Sequence, residues 1–143
     1  MVTYRRLNSS DVLKMLRTWK ESGLHIREKG RESPKALRSE MRTNSWGFIG
    51  AWDRGELVGL VIATSDGRKG WINRLAVLPS HRGKGIGPRL IQLAEKEIRA
   101  RGIGIVSALI ERENKTSVKL FVKAGYELSD DIAYLRKEFV KGS

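Results

Sequence analysis

The spacing of apolar positions changes several times along the chain, and each change marks an element. Residues 1–6 read as a short strand. A cluster of cap formers at 8–11 precedes Val12, Leu13, Leu16 and Trp19, whose spacing gives one apolar helical face. Residues 23–31 are polar and irregular, and Ser33-Pro34 then reads as a cap with proline in the first turn of a short second helix carrying Leu37 and Met41. Beyond it the period shortens. Residues 46–52 and 57–64 are extended segments separated by Asp53-Arg54-Gly55-Glu56, a hairpin pattern. A second turn at 65–70 leads to a strand over 71–78, ending at Pro79.

A glycine-dense loop at 82–87 follows, and then a helix over 88–101 with Leu90, Ile91, Ala94 and Ile98 on one face. Gly102 suits its left-handed C-cap. Residues 103–110 form an apolar, β-branched strand; Asn114 opens a helix through Val118, Phe121 and Val122, closed by Gly125. Residues 126–128 and 132–139 read as two last strands, and Lys141-Gly142-Ser143 as a frayed end. The order β, α, α, β, β, β, α, β, α, β, β predicts a mixed α/β domain with a strand–loop–helix–strand centre.

Composition narrows the chemistry. The 143 residues fit one domain, 1–143. Lys and Arg number 28 against 16 Asp and Glu, a net charge of +12, which favours an anionic partner: nucleic acid, an acidic protein or a phosphorylated small molecule. With no cysteine there is no disulfide framework, thiolate zinc site or cysteine nucleophile, and the 2 histidines are too few for a histidine-rich metal site, so no metal is expected. The longest apolar run, around 57–63, is far short of the roughly 20 residues of a membrane span. No charged-then-apolar leader opens the chain, and a cytoplasmic location is expected.

The most informative stretch runs from Leu75 to Gly87. A strand ends, a basic glycine loop follows, and a helix begins. Glycines at 83, 85 and 87 let the backbone turn its N–H groups toward one point. The helix start adds free donors and the positive end of its dipole, and Arg82 and Lys84 add charge. The bland alternative is a tight turn that needs glycine for shape alone. Two phosphate motifs fail: a P-loop and a dinucleotide fingerprint both require a glycine where Pro88 stands.

What fits is Arg/Gln-x-x-Gly-x-Gly/Ala, here Arg82-Gly83-Lys84-Gly85-Ile86-Gly87. At this point the chain resembles the GNAT superfamily of acyl-CoA N-acyltransferases. The strand Ile72-Asn-Arg-Leu-Ala-Val-Leu-Pro79 is similar to the family's preceding strand. Asn114 to Tyr126 is similar to its Asn-x-x-Ala-x-x-Leu-Tyr-x-Lys-x-Gly-Phe block, with changes.

The resemblance implies a central, mostly antiparallel sheet flanked by helices, with its fourth and fifth strands splayed around acetyl-CoA. It implies backbone contacts from Leu75 and Val77 to the pantetheine arm and a pyrophosphate on Arg82, Gly83, Lys84, Gly85, Ile86 and Gly87. Asn114 and Phe121 lie along the arm, and Lys123 is a candidate at the nucleotide end. A splayed strand offers unpaired backbone groups, and pantetheine carries two amides, so the residues point the same way. Pro88 removes one donor from the first helical turn, which predicts rearranged phosphate contacts.

The implied reaction is direct attack of a primary amine on the thioester in a ternary complex, with positioning supplying much of the rate. The chain departs from the family at both usual proton-handling positions. Phe121 stands where a tyrosine acid is often found, and Trp71 where some members carry a glutamate base. Tyr126, Tyr134, Glu111, His25 and His81 are candidate substitutes, and no catalytic residue is assigned. The acceptor side is implied over 19–41 and 129–134, with Asp130-Asp131 a candidate for a cationic acceptor. A small-molecule amine and a protein or peptide amine both remain open, and a homodimer is an expected assembly, dimers being frequent among relatives. Two other classes compete: an acyl-CoA-binding sensor that has lost turnover, and a basic nucleic-acid module, against which the scattered basic residues count.

Overall fold

Leu57 to Ala63 is buried at every position, which explains why this run shows no alternation: a strand covered on both faces is apolar on both. It lies in the middle of the fold. The computed structural model describes residues 1–141, with β1 (Val2–Arg6), α1 (Val12–Ser22), α2 (Pro34–Thr43), β2 (Phe48–Asp53), β3 (Glu56–Ser65), β4 (Gly70–Val77), α3 (Ile86–Ala100), β5 (Val106–Ala108) and α4 (Lys115–Lys123). The sheet runs β1-β2-β3-β4-β5. Its first four strands pair antiparallel, and β5 lies parallel to β4, as strand–helix–strand connectivity requires.

Two cores sandwich the sheet. On one face Val12, Met15, Leu16 and Trp19 of α1 and Leu37 and Met41 of α2 pack on Phe48, Trp52, Leu60 and Ile62. On the other, Leu90, Ile91, Ala94 and Ile98 of α3 and Phe121 of α4 pack on Ile49, Val58, Val61 and Ile72. The helix faces are those read from the spacing. Gly70 is needed where α3 crosses β4: a Cβ there would lie 2.4 Å from Ile98 Cγ2.

Three expectations change. The helix α3 begins at Ile86, two residues early, so Pro88 is its third residue. That position still lacks an intrahelical acceptor for an N–H, so proline fits. The strand β5 spans three residues, Val106–Ala108, not eight. Residues 126–140 form no strand, against the two expected. Ser129-Asp130-Asp131 and Arg136-Lys137-Glu138 break the alternation, and β5 offers only a short edge. Leu128, Ile132, Tyr134, Leu135 and Phe139 are accordingly exposed. The expected fraying at Gly142 and Ser143 lies outside the described residues.

Candidate active site

A gap opens in the sheet because β4 is longer than β5. Their pairing stops at Gly70↔Val106, Trp71↔Ser107 and Ile72↔Ala108. A bulge sits at that point. On the β3 side, Ala63 faces Ile72 and Ile62 faces Arg74, leaving Asn73 without a partner. The Gly70 N–H donates to Ile105 O at 2.9 Å, so Gly70 and Ile72 turn toward β5. The Leu78 N–H donates to Val58 O at 2.9 Å, so Ala76 and Leu78 turn toward β3. Leu75 and Val77 therefore point their backbone groups into the gap.

The loop beyond β4 concentrates donors. A 3-10 turn over Pro79–His81 leads to Gly83 (φ 76°) and Gly85 (φ 83°), both left-handed with nothing within 4 Å of a Cβ. The first bond back into the helix is Arg89 N–H to Gly85 O, at 3.2 Å. The N–H groups of Gly83, Lys84, Gly85, Ile86 and Gly87 have no protein acceptor among the described residues. They form an anion nest at a helix N-terminus. Gly87 has a second reason to be glycine: a Cβ would lie 3.2 Å from Leu120 Cδ2 of α4. Lys84 is exposed beside the nest.

The Arg82 side chain does something else. Its Nε donates to Val77 O at 3.1 Å and its Nη2 to Ser22 O at 2.8 Å, so it lies across the end of β4 and reaches the last residue of α1. His81 anchors the loop from the other side. Its Nε2 bonds Asp53 Oδ2 at 2.9 Å, and Ser80 Oγ bonds its Nδ1 at 2.8 Å. The His81 hydrogen bond is the main reason the Asp53 carboxyl is held below its ordinary value.

Opposite the gap, residues 23–33 wall off a second region, and Arg74 organises it. Its Nη1 donates to His25 O at 3.0 Å and its Nη2 to Glu32 Oε1 at 2.5 Å. The buried Glu32 also accepts from Arg27 N at 2.8 Å and pairs with Arg31 Nε at 3.2 Å. Glu40 lies near enough to feel it: burial, and then the Glu32 charge, raise its carboxyl above the usual range. Sequence reasoning missed Arg74 and Glu32 because the pair joins positions 42 apart, with no local signal.

The remaining candidates divide. Asn114 is the N-cap of α4, accepting from Ser117 N at 3.3 Å. Phe121 sits in the α3-side core at 5% exposure, edge-on to Tyr126 with ring centroids 5.0 Å apart, and is not an open wall of the gap. Tyr126 donates to Glu95 Oε2 at 2.7 Å; burial and that carboxylate push its phenol well above the ordinary value, which unsuits it as an acid. Trp71 is half-buried on β4, while Trp19 and Trp52 are core. Glu111, Tyr134, Asp130 and Asp131 are exposed, as are His25 and Lys123. A cavity of about 290 Å³ lined by Arg112, Lys115, Val118, Lys119, Val122 and Leu128 contains none of the predicted site residues.

Residues 12–126 match the model of the acetyltransferase (GNAT) family. The chain belongs to the GNAT acetyltransferase family. It is 30% identical over 118 residues to the acetyltransferase ECA0875 of Pectobacterium atrosepticum, covering 82% of this chain and 76% of that one. It is 28% identical over 127 residues to the acetyltransferase SG1711 of Sodalis glossinidius, covering 89% and 82%. The fold matches the PaiA N-acetyltransferase of Thermoplasma acidophilum in complex with coenzyme A, at a TM-score of 0.81 and 22% identity over 92% of this chain and 93% of that one. It also matches the diaminobutyrate acetyltransferase EctA of Paenibacillus lautus, at 0.72 and 21% over 86% and 74%. This GNAT protein is an acetyl-CoA-dependent N-acetyltransferase. Among the described residues no helix is long and apolar enough to cross a membrane, and no group of three or more His, Cys, Asp or Glu is placed to hold a metal.

Proposed function

We propose that this acetyltransferase holds acetyl-CoA in the β4–β5 gap and delivers the acetyl group to a primary amine approaching from the side of residues 23–33. The observation that carries the reading is the coincidence of the backbone groups of Leu75 and Val77, turned into the gap, with a nest of free N–H groups from Gly83 to Gly87 at one end of it. Pantetheine amides match the former, and a pyrophosphate matches the latter. Lys84 adds charge at the nest, and Asn114 holds the start of α4 beside the gap. Phe121 supports the site through packing.

The amine attacks as the neutral base. A carbon–nitrogen bond forms at the thioester carbonyl, the oxygen takes negative charge, and collapse breaks the carbon–sulfur bond. A backbone N–H turned into the gap, with Leu75 as the one we assign, would serve that oxygen as a preorganised donor. The thiolate leaves without a protein acid, as a thiol of pKa about 8.5 permits, and the amine's surplus proton passes to water. Positioning thus carries the rate.

The acceptor wall carries Arg74, Glu32 and Glu40, with the backbone of His25. Among the described residues Glu32 is paired with Arg74 and Arg31 and Glu28 with Lys20, while Glu40 has no ion pair, which supports a cationic amine as acceptor, small or peptide-borne. A cytoplasmic location agrees with an acetyl-CoA-dependent activity, and the exposed apolar residues between 128 and 139 support a homodimer, to be checked by sedimentation velocity.

The test is calorimetry with coenzyme A, followed by thiol release from acetyl-CoA over a panel of amines and peptides. Binding with turnover on an amine is the expected result. Binding with no turnover on any acceptor would favour a sensor, and no binding would overturn the proposal.

A further inference from the structure

Arg82 belongs to the cofactor loop by backbone and to the acceptor side by side chain. We infer that Arg82 is a positioning residue that ties the C-terminus of α1 to the end of β4, and that the cofactor releases this tie on arrival. The inference rests on the reading of the gap as the coenzyme A site.

The geometry is specific. One guanidinium donates from Nε to Val77 O at 3.1 Å and from Nη2 to Ser22 O at 2.8 Å. Val77 O points into the gap, where an entering amide N–H would use it. Ser22 is the last residue of α1, and its carbonyl lies at the negative end of the helix dipole, a favourable place for a cation. Immediately beyond it the chain becomes the acceptor wall. Gly23 caps α1 through bonds from Gly23 N to Lys20 O and from Leu24 N to Trp19 O, both 3.1 Å. Arg74 holds the same wall farther on, at His25 and Glu32. The wall is therefore held by Arg82 and Arg74, by the Lys20–Glu28 pair and by Leu24 and Ile26 against the core, and of these only the Arg82 contact starts from the glycine loop.

When coenzyme A enters, two changes act on Arg82 together. An amide donor competes for Val77 O, and a pyrophosphate appears beside the loop as a stronger, doubly charged acceptor for the guanidinium. Both draw the side chain off Ser22 O, loosening the wall at its α1 end so that it adjusts to the acceptor, while Arg74 and the Lys20–Glu28 pair hold it farther on. Coupling of this kind is reciprocal: an acceptor that needs the adjusted wall must also tighten coenzyme A.

The experiment is amide hydrogen exchange across residues 20–32 with coenzyme A as the probe, in the wild type and in Arg82→Ala and Arg82→Gln. In the wild type, saturating coenzyme A is expected to speed exchange at Gly23 and Leu24 about fivefold, the loss of one charge-assisted bond at a partly exposed site. In both variants these amides are expected to exchange at the faster rate already, with no further response. The two variants cover a failure of either one to fold, which a melting curve reveals. If calorimetry shows binding while exchange at 23–24 stays unchanged in the wild type, or changes equally in the variants, the tie is refuted. If coenzyme A does not bind the wild type, the reading of the gap fails instead.

Discussion

Gly85→Ala separates loop conformation from packing, because its cost has one source. Gly85 sits at φ 83°, and a Cβ there meets nothing within 4 Å. The methyl group causes no clash; it only makes the left-handed conformation unfavourable, by about 1–2 kcal/mol. That amount must appear somewhere. If the loop keeps its shape, melting temperature falls by about 4 °C per kcal/mol and coenzyme A binds as before. If the loop relaxes, stability is kept and the N–H groups leave the nest; binding must then restore the left-handed turn, and affinity drops by roughly 5- to 30-fold. Two constraints hold the loop, the His81–Asp53 bond before it and the start of α3 after it, and the second engages only the Gly85 carbonyl, leaving its N–H side free to turn. We therefore expect most of the loss in affinity. Calorimetry with coenzyme A and a thermal melt read the two shares, and Gly83→Ala, at φ 76° and equally open, is the parallel case. Gly87→Ala is the contrast: it is helical, and alanine's better helix propensity of about 1 kcal/mol offsets the push on Leu120. Wild-type affinity and wild-type melting temperature together in Gly85→Ala would refute the reasoning, since the strain would then appear in neither.

Tyr126→Phe removes the bond to Glu95 and is expected to lower stability by about 1 kcal/mol while leaving turnover intact; a large fall in rate would make Tyr126 a proton donor after all. Arg74→Ala strips the buried Glu32 of its shortest partner and is expected to cost about 3 kcal/mol in urea unfolding, with Arg74→Met and Glu32→Leu together costing less than the single change; a loss below about 1 kcal/mol would show that Arg27 N and Arg31 suffice. The Asp53 carboxyl is held below its ordinary value in the fold, chiefly by His81, so its contribution is complete above the unfolded value near ~3.9 and disappears as pH falls through the lower folded one. Asp53→Asn is expected to flatten the acid side of the melting-temperature profile; an unchanged acid limb would remove the bond from consideration. Glu40 works in the opposite sense: burial raises its carboxyl, so the wild type loses stability as pH rises through its folded value, and Glu40→Gln is expected to abolish that loss.

What was legible in the residues was local. The face of α3, the glycine loop and the cap at Asn114 each depend on neighbours within a few positions, and each stands where its spacing put it. Leu75 and Val77 were named only through family likeness, since strand direction is not encoded in which apolar residue comes next. The bulge at Asn73 has no signature in the sequence, yet it determines their orientation. Arg74, Glu32 and the Arg82 side chain were invisible because their partners come from other elements: Glu32, His25 and Ser22 belong to α1 or the segment after it. The last strands failed for the opposite reason. The propensity was local and real, but a strand needs an edge to pair with, and three residues of β5 are little edge.

The unpaired Asn73 acts as a phase shift between two addresses written on one strand. Before it, Gly70 and Ile72 turn to β5; after it the parity has slipped, so Leu75 and Val77 take over that direction while Ala76 packs in the α1–α2 core and Arg74 reaches His25 and Glu32 in the segment between those helices. Deleting one residue here would exchange the two: Arg74 would leave His25 and Glu32, and the carbonyls of Leu75 and Val77 would turn into the sheet. The gap beside β5 and the contact with residues 25–32 are therefore set in register by a single peptide unit, and neither can drift along β4 without the other.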